Sequence, residues 1–352
     1  MNFHEVDTPA VIIDQSIADA NLRKAQAYAD KHGLALRPHI KTHKLPLFAH
    51  RQVELGAVGL TCQKLGEAEV MADAGLKDIF ISYNIIGRHK LERLKNLHRR
   101  VTLSVAADSN EVIDGYAEAF AGSKSPLTVI IECDTGADRC GAQTPGQVLE
   151  LARRIEAADG LAFGGLMTYP PRDRKADVNQ WLATAIEQLE EAGIPCPRVS
   201  NGGTPDFYSV SEVKAATEHR PGTYIYSDRM QVAFGHGALE DCALTVLATV
   251  VSRPTENRAI IDAGSKALAA DTCPAPGHGH IVEYPDAIIT GLNEEHGMVD
   301  LSQCAEKPKI GDKVRVIPNH VCVVTNLFDT VTLIEDGDVI AHLPVAARGK
   351  VT

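Results

Sequence analysis

The sequence predicts an α/β protein made of a (β/α)8 barrel followed by a second, mostly β domain. From about residue 34 to 235, short apolar runs alternate with amphipathic helical stretches, a pattern typical of βα units around a parallel sheet. After residue 235 the helical periodicity is largely lost and β-rich segments follow. The 352 residues can hold one barrel of about 250 residues and a small remainder. We therefore expect a barrel over 15–235 and a β domain built from 1–14 plus 236–352.

The apolar runs of the first part number eight, which is the strand count of a closed α/β barrel. A doubly wound open sheet is the alternative architecture for the same alternation. The predicted strands are LALRPHI (34–40), GAVGLT (56–61), DIFISY (78–83), VTLSVA (101–106), LTVIIEC (127–133), LAFGGLM (161–167), CPRVS (196–200) and TEHRPGTYI (217–225).

Four β-rich segments define the second domain, and the strand PAVIID near the N-terminus is expected to join them. The four are ALTVLATVVSRP, NRAIIDAG, DKVRVIPNHVCVV and DTVTLIEDGDVIAHLPV. The HGH triplet at 278–280 could resemble a pair of metal ligands. Its Gly- and Pro-rich surroundings favour a surface loop instead.

Composition excludes several classes of protein. The 35 basic and 46 acidic side chains give a net charge of −11, which argues against a nucleic-acid partner. A hydrophobic fraction of 44% is typical of a globular chain with a large core. No apolar run reaches the roughly 18 residues of a membrane span, and the N-terminus lacks the features of a secretory signal. The eight cysteines form no CxxC pair and are typical of reduced thiols, so we expect a cytoplasmic protein.

Candidate catalytic groups are sought where barrel strands end, because active sites of α/β barrels lie at the carboxyl ends of the strands. The first predicted strand leads into RPHIKTHK, residues 37–44. A lysine partly desolvated in a barrel mouth is a usable amine nucleophile for a carbonyl cofactor. The alternative is an ordinary solvated surface lysine.

The last two predicted barrel strands carry glycine-rich sequences with hydroxyl groups. These are SNGGTPDF at 200–207 and RPGTY at 220–224. Barrel enzymes often hold phosphate in the loops after strands 7 and 8, where exposed backbone N–H groups can surround an anion. Either loop alone is better explained as a simple turn, but their joint placement indicates a phosphate site.

A nucleophilic lysine and a phosphate cradle together describe a site for a phosphorylated aldehyde, of which pyridoxal phosphate is the obvious candidate. TPAVIID, RPHIKTHK, TCQKLGEAE, DTGADRCG, the GG-T-P loop, RPGTY, EEHG and PNHVC occur in that order. In this order they resemble the motifs of the D-threonine aldolase and D-serine dehydratase group of pyridoxal-phosphate enzymes, which share the alanine-racemase-like fold.

The resemblance implies specific roles for residues of the barrel. Lys41 would form the internal aldimine, and Lys44 would have no catalytic role. Gln63 and Arg139 match polar groups near the cofactor ring and its phenolic oxygen, and Tyr169 matches a tyrosine beside the ring. A structural salt bridge for Arg139 and a core position for Tyr169 are the alternatives. The residues that would hold the phosphate are Gly202, Gly203, Thr204, Gly222 and Thr223.

A metal pair is expected in the β domain. His320 and Cys322 are separated by one residue in a predicted strand, so both side chains are expected on one face. Imidazole with thiolate suits zinc, although an HxC pattern alone is more often a core histidine near a buried thiol. The resemblance implies that this pair holds a divalent metal, Zn or Mn. Aldolases of the group often carry HxD, whereas HxC is more similar to the dehydratases.

The expected activity is retro-aldol cleavage of a small-molecule β-hydroxy-D-amino acid to glycine and an aldehyde. The alternative is β-elimination, as in a D-serine dehydratase, and a racemase is the less favoured reading. The loop MTYPPRDRK lacks histidines that many aldolases of the group carry there. The resemblance also implies a homodimer. It assigns no role to His43 or to His296 of the EEHG motif.

Overall fold

The computed structural model describes residues 1–352, and their contacts divide the chain into two compact units. The first unit comprises 25–41, 46–222 and 350–352, and the second comprises 1–24, 42–45 and 223–349. Residues 15–24, 42–45 and 223–235 therefore group with the second unit by their contacts, although they fall within the barrel predicted over 15–235.

The chain contains seventeen β-strands and ten α-helices. The strands are β1 (Ala10–Asp14), β2 (Ala35–Leu36), β3 (Leu60–Cys62), β4 (Asp78–Ile81), β5 (Thr102–Ala107), β6 (Leu127–Cys133), β7 (Leu161–Thr168), β8 (Val199–Gly202), β9 (Glu218–Arg220), β10 (Leu244–Thr255), β11 (Arg258–Ile261), β12 (Gly279–Ile281), β13 (Ile288–Leu292), β14 (Gly297–Asp300), β15 (Lys313–Pro318), β16 (Thr330–Glu335) and β17 (Asp338–Pro344). The helices are α1 (Gln15–His32), α2 (Pro46–Glu54), α3 (Leu65–Asp73), α4 (Arg88–His98), α5 (Asn110–Phe120), α6 (Pro145–Ala157), α7 (Lys175–Glu191), α8 (Arg229–Ala233), α9 (Ser265–Leu268) and α10 (Val321–Leu327). No helix combines the length and the apolar character needed to cross a bilayer.

The first unit is the predicted parallel α/β barrel. Its eight strands pair in the order β2-β9-β8-β7-β6-β5-β4-β3, and every pairing is parallel. A parallel bridge between His39 and Thr61 joins the two edges of this sheet, and the Ile40 N–H donates to the Thr61 carbonyl at 2.9 Å. The barrel prediction is therefore confirmed.

Helix α6 illustrates how the local sequence builds the outer layer of the barrel. Its N-cap, Thr144, accepts a hydrogen bond from the Gln147 N–H, and Pro145 occupies the first turn, where its missing N–H costs nothing. The buried residues are spaced three to four apart, so one face of the helix packs inward. They are Val148, Leu151, Ala152 and Ile155.

Two barrel strands are shorter than predicted because of proline. Only Ala35 and Leu36 of the LALRPHI segment form regular strand, since Pro38 cannot donate to a sheet ladder. Strand β9 ends before Pro221, and Thr223–Ile225 form a 3-10 helix rather than the predicted continuation. The LTVIIEC strand matches its predicted bounds.

The second unit is built on a nine-stranded sheet in the order β11-β14-β13-β12-β15-β10-β1-β16-β17. An additional pairing of β11 with β10 closes six of these strands into a ring. Strand β1, the predicted PAVIID strand, pairs antiparallel with β10 and parallel with β16. The expected β-rich second region is confirmed.

Two expectations for this region are wrong. The HGH triplet was expected in a surface loop, but Gly279–Ile281 form strand β12 between β13 and β15. The predicted strand DKVRVIPNHVCVV ends at Pro318, and helix α10 begins at Val321. In both cases long-range pairing or capping, rather than local composition, decides the structure.

Candidate active site

Lys41 follows the first barrel strand and is half-buried. Its backbone N–H donates to Nδ1 of His39 at 3.3 Å, and Nε2 of His39 bonds with Oε1 of Gln63 at 3.0 Å. Because Nδ1 accepts, Nε2 is the nitrogen that carries the proton and donates to Gln63. The Gln63 amide in turn donates to the Ser82 carbonyl at 3.3 Å. The barrel thus fixes Lys41 and Gln63 through a histidine that the sequence analysis did not single out.

Arg139 and Tyr169 follow the carboxyl ends of β6 and β7 and contact each other. The guanidinium of Arg139 lies 4.8 Å from the centroid of the Tyr169 ring and 3.4 Å from the carboxylate of Glu132. The Arg139 side chain is 53% exposed, and Tyr169 is 36% exposed. Neither residue is therefore a core residue, and both are accessible to a bound molecule.

Glu132 is the buried partner of Arg139. Burial raises the pKa of its carboxyl group, and hydrogen bonding with Cys140 and the charge of Arg139 only partly oppose this shift. Glu132 is the second-last residue of β6, and its carboxylate contacts the Arg139 guanidinium at 3.4 Å. The partly exposed Arg139 is thereby held in place without being covered.

The GG-T loop after β8 requires glycine at both positions. A Cβ atom on Gly202 would lie 2.6 Å from a guanidinium nitrogen of Arg220. Gly203 has a φ of 111°, and a Cβ there would lie 3.1 Å from the Tyr169 ring. The backbone is therefore left bare on the side that faces these groups.

The two predicted phosphate loops are joined directly. The N–H of Gly222 donates to Oγ1 of Thr204 at 3.2 Å, and the Thr204 side chain is buried. Backbone amides and a hydroxyl at bare glycines are the groups that commonly surround a phosphate. The donor set of this cradle therefore fits a phosphorylated ligand.

Arg220 is a buried cation beside this cradle that the sequence analysis did not single out. Its guanidinium donates to Ser200 Oγ at 2.8 Å and to the Thr168 carbonyl at 2.7 Å. Burial lowers its pKa to about 10, although the charges of Glu218 and Glu132 oppose that shift. Ser200 in turn donates to Glu218, whose other oxygen accepts from Arg37 at 2.7 Å. A fixed, buried positive charge at this point favours an anionic cofactor.

A second cluster lies within the second unit, around the predicted metal pair. Nδ1 of His320 lies 2.9 Å from Oδ2 of Asp228, and Sγ of Cys322 lies 3.0 Å from Oγ1 of Thr42. Oγ1 of Thr223 lies 3.6 Å from the same sulfur. The structure thus brings His320, Cys322 and Thr223 together with two residues that the motif analysis missed.

The expected strand face for His320 and Cys322 is wrong. His320 is the N-cap of α10, and Cys322 lies in the first turn of that helix. The β-branched residues of this segment favoured a strand, but the Val321 N–H donates to Oδ2 of Asp228, which caps the helix from 93 residues away. The two side chains nevertheless interact, because His320 precedes the helix with an extended backbone, φ −142° and ψ 114°, and hydrogen-bonds with Cys322 in the first turn.

The charge state of His320 depends on its neighbours. Burial pushes its pKa down, but hydrogen bonds with Asp228 and Cys322 outweigh burial and raise the pKa to about 10. An imidazole nitrogen beside a cysteine sulfur is a donor set that suits zinc. The chain contains no cluster of three or more His, Cys, Asp or Glu side chains arranged for a metal. His320 and Cys322 thus offer one nitrogen and one sulfur donor, and any metal held here would take its other ligands from elsewhere.

The sequence links the two sets of residues. Thr42, which bonds with Cys322, directly follows Lys41, and Thr223 directly follows Gly222. The two hydroxyls near the Cys322 sulfur thus belong to the residues that come next in the chain after the predicted cofactor lysine and after a predicted phosphate-binding glycine.

Three other residues of the recognised motifs make different contacts. Lys44 is buried, and its Nζ donates to the Ala347 carbonyl at 3.3 Å, which indicates a structural role. His43 is also buried, and its Nδ1 accepts from the Leu45 N–H at 3.1 Å. His296 is exposed between β13 and β14.

Comparisons with known proteins agree with the motifs. Residues 13–230 match the family model of the alanine racemase N-terminal domain, and residues 243–334 match a serine dehydratase domain. A D-threonine aldolase from Arthrobacter sp. is 36% identical over 98% of this chain and 93% of its own length.

Two solved structures cover nearly the whole chain. The crystal structure of D-threonine aldolase from Filomicrobium marinum has a TM-score of 0.93 and 33% identity, covering 100% of this chain and 98% of that one. A D-threo-3-hydroxyaspartate dehydratase has a TM-score of 0.88 and 30% identity, covering 98% of this chain and 99% of that one. The latter structure is described as a cysteine-to-alanine mutant in the metal-free form.

Proposed function

The chain belongs to the family of D-threonine aldolases and related dehydratases with the alanine-racemase fold, and from this premise we propose its reaction. It is a pyridoxal-phosphate-dependent lyase that cleaves β-hydroxy-D-amino acids to glycine and an aldehyde. The proposal is carried by one observation: a half-buried lysine, two glycine loops linked by a hydrogen bond and a buried arginine all lie at or after the ends of barrel strands.

Each residue of the barrel set has a distinct task in this proposal. Lys41 bonds covalently to the cofactor, and Gln63, Arg139 and Tyr169 contact its ring. The phosphate rests on the loops that contain Gly202, Gly203, Thr204, Gly222 and Thr223. When bound, pyridoxal phosphate supplies an electron sink for the pair released at Cα of the substrate.

We infer that His320 and Cys322 hold a divalent metal, Zn or Mn. A related dehydratase was solved as a cysteine-to-alanine mutant in a metal-free form, and this chain offers a cysteine that hydrogen-bonds with a histidine as its donor pair. When bound, the metal supplies a Lewis acid for the β-hydroxyl of the substrate. Treatment with EDTA is expected to abolish activity, and added Zn²⁺ or Mn²⁺ is expected to restore it. Full activity in a preparation shown to be free of metal would contradict the inference.

Two reactions differ only in the bond that breaks. In aldol cleavage the β-hydroxyl loses its proton, the Cα–Cβ bond breaks and Cα then takes up a proton, which gives glycine and an aldehyde. In β-elimination the Lys41 amine takes the Cα proton and hydroxide leaves Cβ, which yields a 2-oxo acid and ammonia after hydrolysis. The HxC pair and the similarity to a dehydratase favour keeping elimination as the second candidate.

A two-substrate assay distinguishes the candidates. The purified enzyme is incubated separately with D-threonine and with D-serine, and glycine, acetaldehyde, pyruvate and ammonia are measured. We expect glycine and acetaldehyde from D-threonine. Pyruvate from D-serine without glycine from D-threonine would overturn the aldolase proposal in favour of the dehydratase. Conversion of D-serine only to L-serine, or of D-threonine only to L-allo-threonine, would indicate a racemase.

We further propose that the enzyme is a cytoplasmic homodimer. All eight cysteines are free thiols, which agrees with a reducing compartment. Light scattering coupled to size-exclusion chromatography is expected to give twice the 37.8 kDa chain mass. A mass equal to that of one chain would contradict the dimer.

A further inference from the structure

We propose that Asp228 is a positioning residue that orients the His320 ring for metal binding. This inference rests on the proposed metal site, and no motif points to Asp228. Asp228 is fully buried, with a side-chain exposure of 0%. Burying a carboxylate is costly unless it is paired and hydrogen-bonded, so a side chain in this position needs several partners.

The Asp228 carboxylate has three such partners. Oδ2 accepts from Nδ1 of His320 at 2.9 Å and from the Val321 N–H at 3.2 Å. Oδ1 accepts from the Gln231 N–H at 2.9 Å, as the N-cap of helix α8. The carboxylate therefore cannot rotate without uncapping two helices, and its orientation is fixed by the fold.

This orientation determines which nitrogen of His320 is available. A neutral imidazole that donates from Nδ1 to Asp228 has its lone pair on Nε2. Histidine ligands in metal sites commonly donate their other N–H to a carboxylate, which fixes the ring and strengthens the ligand. Nε2 is thus the nitrogen assigned to the metal.

Asp228 also contributes charge. A divalent cation bound by His320 and the Cys322 thiolate leaves one positive charge uncompensated by its ligands. The buried carboxylate behind the imidazole supplies the balancing negative charge at a short distance. The site therefore reaches neutrality with only two protein ligands.

The test compares the zinc affinities of variants prepared as pyridoxal-phosphate-loaded, full-length enzyme. Zinc is distributed at equilibrium between the enzyme and a chromogenic chelator, and bound metal is also counted by elemental analysis. Asp228→Asn keeps an N-cap side chain for α8, since Asn and Asp cap equally well, but removes the charge. Asp228→Ser keeps the cap but is too short to reach His320. We expect zinc affinity to fall roughly 10–100-fold in both variants.

Two control variants make the outcomes distinct. Thr144→Ala removes the N-cap of α6, which belongs to the barrel, and is expected to lower stability without changing zinc affinity. His320→Ala removes the proposed ligand itself. The visible absorbance of the cofactor is expected to be unchanged in the Asp228 variants, because that carboxylate contacts none of the predicted cofactor residues.

The results separate the inference from the metal proposal. Wild-type zinc affinity in both Asp228 variants, with loss in His320→Ala, would overturn the positioning role and keep the metal site. Wild-type affinity in His320→Ala would overturn the metal site itself. An equal loss of affinity in Thr144→Ala and Asp228→Ser would show a general effect of instability and would also overturn the positioning role.

Discussion

Gly202 occupies a position where an added Cβ atom would collide with the side chain of Arg220. The guanidinium of Arg220, 2.6 Å from the Cβ position, is held by Ser200 and by the Thr168 carbonyl. It cannot move aside without breaking these buried hydrogen bonds. The cost of such overpacking is typically about 1–3 kcal/mol.

We therefore expect Gly202→Ala to weaken binding of pyridoxal phosphate by about 10- to 100-fold, since 1.4 kcal/mol corresponds to a factor of ten. The measurement is a titration of the apoenzyme with the cofactor, followed by its visible absorbance. Gly146→Ala is the matched control, because a Cβ there would lie 3.8 Å from its nearest neighbour, Thr144 Oγ1. Equal affinities for the two variants would contradict the cradle.

Lys41 and Lys44 provide a second comparison at the residue scale. Lys41→Ala is expected to lose the visible absorbance of the covalently bound cofactor, because no other amine occupies that position. Lys44→Met, which replaces a buried lysine bonded to the Ala347 carbonyl, is expected to keep that absorbance. The measurement is the visible absorbance spectrum of each purified variant after addition of the cofactor. A wild-type spectrum for Lys41→Ala would remove Lys41 from its role.

Residues that were predicted differ in kind from those that were missed. Lys41, Gln63 and the glycine loops follow strand ends and stand in contiguous motifs, so the sequence order alone indicates them. His39 and Asp228 act by orienting other groups, and their partners lie 24 and 92 residues away. Contacts at such separations leave no periodic pattern, so although His39 stands in the RPHIKTHK motif, the sequence does not reveal its bond with Gln63, and it does not reveal the pairing of Asp228 with His320.

At the scale of elements, local capping is predictable where it is contiguous. The TPGQ sequence indicates the start of α6, because a threonine cap precedes a proline and an amphipathic run. The start of α10 was missed because its capping carboxylate comes from Asp228. The VCVVT residues of that helix are β-branched or small and therefore favour a strand by propensity. Tertiary capping overrides this propensity.

The cap of α6 can be tested directly. Thr144→Ala is expected to lower the free energy of unfolding by about 1 kcal/mol, because the Gln147 N–H loses its acceptor. Thr184→Ala is the matched control within α7, where the exposed hydroxyl donates back to the Gln180 carbonyl and accepts from the Gln180 side-chain amide. That replacement is expected to leave stability unchanged or to raise it slightly. Urea unfolding of both variants supplies the measurement, and equal losses would contradict the capping role.

At the scale of the whole molecule, a net charge of −11 coexists with a site suited to an anion. The reason is that buried groups act locally while exposed charges are screened over about 10 Å. Arg220 lies inside the barrel, whereas many of the acidic side chains are exposed on the surface. Total charge argues against a nucleic-acid partner, yet it carries no information about the cofactor site.

The stability of the molecule as a function of pH depends on a buried histidine in the barrel. His219 is fully enclosed, and burial lowers its pKa from 6.5 to about 4, although a hydrogen bond with the Asn201 carbonyl opposes the shift. Between these two values the unfolded chain binds a proton at His219 and the native protein does not. Protons therefore favour unfolding in this window, and stability falls as pH is lowered from about 6.5 to 4.

A shift of this size corresponds to about 3 kcal/mol across that window, because one pKa unit corresponds to 1.36 kcal/mol. We expect His219→Gln, which keeps an amide donor for the Asn201 carbonyl, to remove that part of the pH dependence while lowering stability at neutral pH. His296→Gln, at an exposed position, is expected to leave the pH dependence unchanged. Urea unfolding at half-unit steps from pH 4 to 8 gives the three curves. Parallel curves for wild type and His219→Gln would contradict this role. They would mean that His219 binds a proton equally well in the native and the unfolded state, so that the acid sensitivity originates elsewhere.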